Sequence, residues 1–148
     1  MAHYAENRKA KFDYEILEKY EAGIELLGSE VKSVRAGRMS LDGAFVIIRG
    51  GEAYLINANI PLYQPNNKSS EHDPLRNKKL LLTKKEIDFL TGSGKNKSLT
   101  IVPISVYNKG RKVKVEIVLA RGKKKFDKRE TIKKRETDRE IRRNLKDR

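Results

Sequence analysis

The stretch Lys112-Val113-Lys114-Val115-Glu116-Ile117-Val118-Leu119 sets Val113, Val115, Ile117 and Leu119 in alternation with Lys112, Lys114, Glu116 and Val118. Successive side chains of an extended chain point to opposite sides, so this period of two writes a strand with one buried face. Just before it, Asn108-Lys109-Gly110-Arg111 supplies a turn. Upstream of the turn, Thr100, Val102, Ile104 and Val106 lie in a run rich in β-branched residues, and the two runs are expected to form a hairpin. Pro103 has no N–H to give a ladder, which places an edge or a bulge at that point.

A second hairpin is written as Ala44 to Arg49, then Gly50-Gly51, then Ala53 to Ala58. Paired glycines accept the positive φ that two-residue hairpin turns demand. Phe45 and Ile47 oppose Val46 and Ile48, so both faces of the first strand are apolar and the second face needs a cover. Tyr14 to Leu27 and the short Lys79-Leu80-Leu81-Leu82 run are further strand candidates. Thr83-Lys84-Lys85-Glu86 is a capping box that opens a helix carrying Ile87 and Leu90 inward and stopping at Gly92. Gly28-Ser29-Glu30 offers another helix start, with Gly37 as its stop after Arg35. Six short strands with two or three short helices in about 110 residues predict a mainly β protein, an OB-like antiparallel barrel. Pro61 to Pro74, rich in Asn, Ser and charge, reads as a surface loop.

Charge divides the chain. Of the 148 residues, 34 are Lys or Arg and 20 are Asp or Glu, a formal net charge of +14. From Arg121 to Arg148 fourteen cations face six anions, so +8 of that excess lies in the last fifth. Only Phe126, Ile132, Ile141 and Leu145 are large and apolar there, too few to offset the entropy of ordering the backbone. The Glu130/Lys134 and Asp138/Arg142 pairs nevertheless carry helical spacing. The expected organisation is an N-terminal arm over residues 1–9, a barrel over 10–122, and a basic tail over 123–148 that is disordered when free and helical when bound.

Such an excess calls for a polyanionic partner, nucleic acid or an anionic membrane. The longest apolar runs fall far short of a membrane span, so a soluble protein with no membrane partner is expected; the further expectation is a cytoplasmic protein, monomeric when free. With no Cys and only His3 and His72, thiolate zinc sites, disulfides and cysteine nucleophiles are excluded. Gly92-Ser93-Gly94-Lys95-Asn96 imitates a phosphate loop, but Phe89 stands where its first Gly belongs and Asn96 where Ser or Thr would hold magnesium. His72-Asp73 lacks a third ligand within sequence reach. No nucleophile, base and oxyanion donor assemble, so neither catalysis, a metal nor a cofactor is expected.

Asn7-Arg8-Lys9-Ala10, Tyr20-Glu21-Ala22-Gly23-Ile24, Gly28-Ser29-Glu30-Val31-Lys32-Ser33, Asp73-Pro74-x-Arg76, Lys79-Leu80-Leu81-Leu82 and Gly122-Lys123-Lys124-x-Phe126-Asp127-Lys128-Arg129 occur in this order. Together they closely resemble the SmpB family of SsrA-binding proteins. The resemblance runs from about residue 7 to the end. It implies an OB-like core that binds transfer-messenger RNA at its tRNA-like domain and brings it to stalled ribosomes. It also implies a tail that enters the decoding centre and message channel as a helix. Asn7, Glu21 and Leu81 then match RNA-binding positions. Gly122, Lys123, Lys124, Phe126, Asp127, Lys128 and Arg129 match the decoding-centre segment. Phe126 stands where many relatives have His or Tyr, a change that keeps base stacking and loses a ring hydrogen bond.

Arg8, Lys9, Lys32, Arg35, Arg38, Arg76, Lys78 and Lys79 complete the RNA-binding candidates as surface cations placed to meet phosphates. For each there is a plainer alternative. Leu81 sits in an apolar triplet that suits a core, Glu21 suits a solvated strand, and the cations suit an ordinary charged surface. A general single-strand binder and an RNA-processing enzyme are the rival functions. Aromatic residues at only 7% with no paired motif on a strand disfavour the first, and the missing catalytic motifs disfavour the second.

Overall fold

The structure, a computed structural model, describes residues 3–62 and 73–122. In chain order the elements are β1 (His3–Glu6), α1 (Arg8–Asp13), β2 (Tyr14–Ile24), α2 (Gly28–Arg35), β3 (Phe45–Arg49), β4 (Glu52–Ile56), β5 (Lys78–Leu81), α3 (Lys84–Ser93), β6 (Leu99–Lys109) and β7 (Lys112–Gly122). All pairings are antiparallel and run β1-β6-β3-β4-β5-β2-β7, with β7 also paired to β6. That last pairing closes β6, β3, β4, β5, β2 and β7 into a ring of six. The seventh strand, β1, was not expected as a strand. It lies along β6, with Ala5 opposite Val106 and Glu6 opposite Ser105, in what reads from sequence as an arm.

Both predicted hairpins form. Lys109 pairs with Lys112 around a turn in which Gly110 takes a φ of 62°. Arg49 pairs with Glu52 around Gly50 and Gly51, at φ 59° and 76°, the positive pair a two-residue turn needs. Pro103 marks a bulge, since the register of β6 on β7 slips between Pro103 and Ser105.

Inside the ring, Val115, Ile117 and Leu119 of β7 meet Ala22, Val46, Leu55, Leu80 and Val106 in one buried cluster. Leu90 of α3 and Val34 of α2 join it. The α3 helix opens on the expected capping box, with Thr83 and Glu86 bonded reciprocally, and it runs one residue past Gly92 to Ser93. A second, smaller cluster sits on the outer face. Ala10 of α1 covers Val102, Ile104, Val118 and Ala120, which is why Val118 breaks the polar alternation at the end of β7. No helix among the described residues is long and apolar enough to cross a membrane.

Candidate nucleic-acid interface

The site begins at Gly23. It pairs with Lys114 of β7 on one side and with Leu81 of β5 on the other. Having no side chain, Gly23 leaves a depression in the outer wall of the ring, and Leu81 lies over it half exposed. The cleft is lined by Gly23, Leu26, Leu81, Arg35, Arg111, Lys112 and Lys114, among others. Its cations come from two elements that the fold brings together. The β6–β7 hairpin supplies Arg111 from its turn and Lys112 and Lys114 from β7, while Arg35 in the last turn of α2 donates from Nη2 to the Arg111 carbonyl at 3.1 Å. An apolar floor rimmed by four cations can seat a base or ribose while its rim meets phosphate oxygens.

Two carboxylates stand beside this cleft. Glu21, two residues from Gly23 on the same face of β2, accepts from the Tyr107 hydroxyl at 2.5 Å and from Lys109 Nζ at 3.0 Å. Both partners reach it across β7. The Tyr107 and Lys109 hydrogen bonds hold the Glu21 carboxyl below its ordinary range. Burial and the Glu21 carboxylate push the Tyr107 hydroxyl up. On the other flank, Glu52 accepts from the Tyr54 hydroxyl and from Lys79 Nζ, the latter at 3.0 Å. Its carboxyl is likewise held low, first by Tyr54 and then by Lys79.

Beneath α2 lies a buried polar cluster. Glu30 is 1% exposed and receives a forked pair from Arg76, Nη2 to Oε1 at 2.6 Å and Nε to Oε2 at 3.2 Å. The Leu27 N–H adds a third bond at 2.7 Å. Burial pushes the Glu30 carboxyl up, but these bonds and the charges of Arg76 and Lys78 outweigh it, and the net displacement is downward. Lys78, which reads from sequence as a surface phosphate contact, is instead an interior residue. Its side chain is fully buried and Nζ donates to the carbonyls of Ala58 at 2.6 Å and Pro74 at 3.2 Å. Lys78 occupies an inward position of β5, between the outward Lys79 and the core, and a strand sends alternate residues to opposite faces. Burial pushes its ammonium down, with the Glu30 charge opposing. Arg76 also departs from a free surface cation, since its guanidinium serves Glu30 and the carbonyls of Glu25 and Asn77.

The remaining candidates scatter. Asn7 is buried, donating to the Pro103 and Leu41 carbonyls and accepting from Ala10 N–H as the cap of α1. Arg8 and Lys9 are exposed on α1, near the Tyr14 end of β2, away from the cleft. Lys32 and Arg38 are exposed in and after α2. Gly122 ends β7 opposite Tyr14. Lys123, Lys124, Phe126, Asp127, Lys128 and Arg129 lie outside the described residues, as does His72. The structure adds Lys109, Arg111, Lys112 and Lys114 to the surroundings of the cleft. The signal for them was the cationic turn Lys109-Gly110-Arg111-Lys112, which reads from sequence only as a turn. Among the described residues no three of His, Asp and Glu gather as metal ligands.

The SmpB protein family model matches residues 4–147. The SsrA-binding protein of Gloeothece citriformis is 53% identical over 141 residues, 95% of this chain and 91% of that one. The SsrA-binding protein of Ligilactobacillus salivarius is 55% identical over 142 residues, 96% of this chain and 91% of the relative. Among solved structures, a chain from "tmRNA-SmpB: a journey to the center of the bacterial ribosome" is similar with a TM-score of 0.68 and 49% identity, covering 81% of this chain and 84% of that one.

Proposed function

The chain belongs to the SmpB family, and from that premise we propose that it binds the tRNA-like domain of transfer-messenger RNA and delivers that RNA to stalled bacterial ribosomes for trans-translation. Its role is binding in the cytoplasm, with no catalytic step of its own. The cleft at Gly23 and Leu81 takes the RNA. Arg35, Arg111, Lys112 and Lys114 meet phosphates around an apolar floor, so a folded RNA is gripped by shape and charge rather than read by sequence.

One observation carries the division of labour. The cleft lies at the Lys114 end of β7 and the basic tail begins at the other end, after Gly122. Eight residues of strand separate them, on the order of 25 Å at the usual rise. A tail rooted so far from the RNA cleft is free to serve a second partner, the decoding centre and message channel of the ribosome. Joining two contacts through one chain raises the effective concentration of the second.

Competition tests the reading. A tRNA-like RNA should displace the protein from an unstructured oligonucleotide of equal length, and the affinity should fall steeply with salt as counterions are released. Equal affinity for both RNAs would overturn it.

A further inference from the structure

Around the cleft, the same three-residue arrangement occurs twice. On the β6 side the Tyr107 hydroxyl and Lys109 Nζ each bond one oxygen of Glu21. On the β4–β5 side the Tyr54 hydroxyl and Lys79 Nζ each bond one oxygen of Glu52. Lys79 shares its outward strand face with Leu81, and Glu21 shares its own with Gly23, so each arrangement has a member two positions along its strand from the Gly23–Leu81 pair.

A carboxylate beside a nucleic-acid cleft repels phosphate, and here each is paired with a lysine that offsets that repulsion. In each arrangement the tyrosine fixes the carboxylate and the carboxylate fixes a lysine. Tyr107 is only 7% exposed, so the first carboxylate is tied to a side chain that is itself packed in place. The Lys109 side chain remains 60% exposed and that of Lys79 35%. An ammonium has three donors, and the carboxylate uses one of them. The others are open to a phosphate, on an ammonium that the carboxylate already holds at 3.0 Å.

We propose that Lys109 and Lys79 are a matched pair of phosphate contacts on either side of the cleft, and that Glu21 and Glu52 are positioning residues that act on RNA through them. This rests on the RNA-binding reading above and extends it. It assigns Lys109 to the interface and gives Glu21 a supporting role there.

Double-mutant cycles on the full chain test it, with affinity for a tRNA-like RNA measured across a salt series and the thermal midpoint recorded for each variant. Lys109→Ala and Lys79→Ala should each weaken binding about fivefold and each reduce the salt slope by about one, the mark of one lost phosphate contact. Lys109→Arg should restore the slope. Glu21→Ala should weaken binding in the wild-type background and have little further effect in Lys109→Ala, and Glu52 should couple to Lys79 in the same way. The two lysine substitutions should add with each other. Unchanged affinity and slope in Lys109→Ala would overturn the proposal, as would a full additional loss from Glu21→Ala in that background. If the wild-type protein shows no preference for the tRNA-like RNA, the functional reading fails instead, and the salt slopes still report whether these lysines meet phosphate.

Discussion

Leu81 lies directly across the β2–β5 pair from Gly23, so close that a Cβ placed on Gly23 would stand 3.2 Å from the Leu81 Cβ and 3.3 Å from its Cδ1. The glycine is buried under the leucine, while the leucine itself is 50% exposed. The close approach, not any turn, is what favours a glycine here, since a Cβ would make Leu81 give by a few tenths of an ångström. It sets the depth of the cleft and the position of its apolar floor.

Gly23→Ala should therefore push Leu81 outward. Relief of glycine entropy and the new crowding oppose each other, leaving stability within about 1 kcal/mol of wild type. Affinity for the tRNA-like RNA should nonetheless fall several-fold, and Gly23→Ala should add little in a Leu81→Ala background. Titration of the three variants together with chemical denaturation checks both points.

Lys78→Ala should cost about 2 to 4 kcal/mol, because it opens a buried space and takes the ammonium donor from the Ala58 carbonyl, while the Pro74 carbonyl keeps the Ile60 N–H. Lys78→Met keeps most of the volume and should lose less. Both variants, assayed well below their thermal midpoints, should bind RNA as the wild type does, since this ammonium reaches no surface.

Glu30 makes stability depend on pH in a direction fixed by its lowered folded pKa. Its contribution is complete above the ordinary carboxylate range and is lost as pH falls through the lower folded value. Glu30→Gln should be destabilised by about 2 kcal/mol near neutral pH. The gap in thermal midpoint between wild type and variant should hold down to about pH 5 and close on further acidification. A gap that widened in acid would contradict the assignment.

A chain ending at Gly122 should keep its affinity for tRNA-like RNA within about threefold, because the tail root lies several Debye lengths from the cleft at physiological salt. Peptide tagging on stalled ribosomes should be lost. Tagging that survived the truncation would show that the tail is not the ribosomal contact.

The strands and their turns were legible because their determinants are local. Alternation in Val113 to Leu119, the Gly50-Gly51 pair, the bulge at Pro103 and the Thr83–Glu86 capping box each act within a few residues, and each is where the sequence puts it. The β1 strand is not legible in the sequence because four residues with no alternation of their own become a strand only where β6 offers a free edge. Among candidate residues, Arg35 and Leu81 do meet at one cleft, while Lys78, indistinguishable from Lys79 in composition, is turned inward by strand parity.

Composition and local pattern alone settled that this is a basic, mainly β chain with a charged tail, and the order of its motifs settled its kinship. Which charges stand together was decided only by the closed ring. Ring closure sets β2 between β5 and β7 and carries Tyr107 and Lys109 across β7 to Glu21, from positions 86 and 88 residues away in the chain. Side-chain partners at that separation depend on strand order and register, which no local propensity encodes.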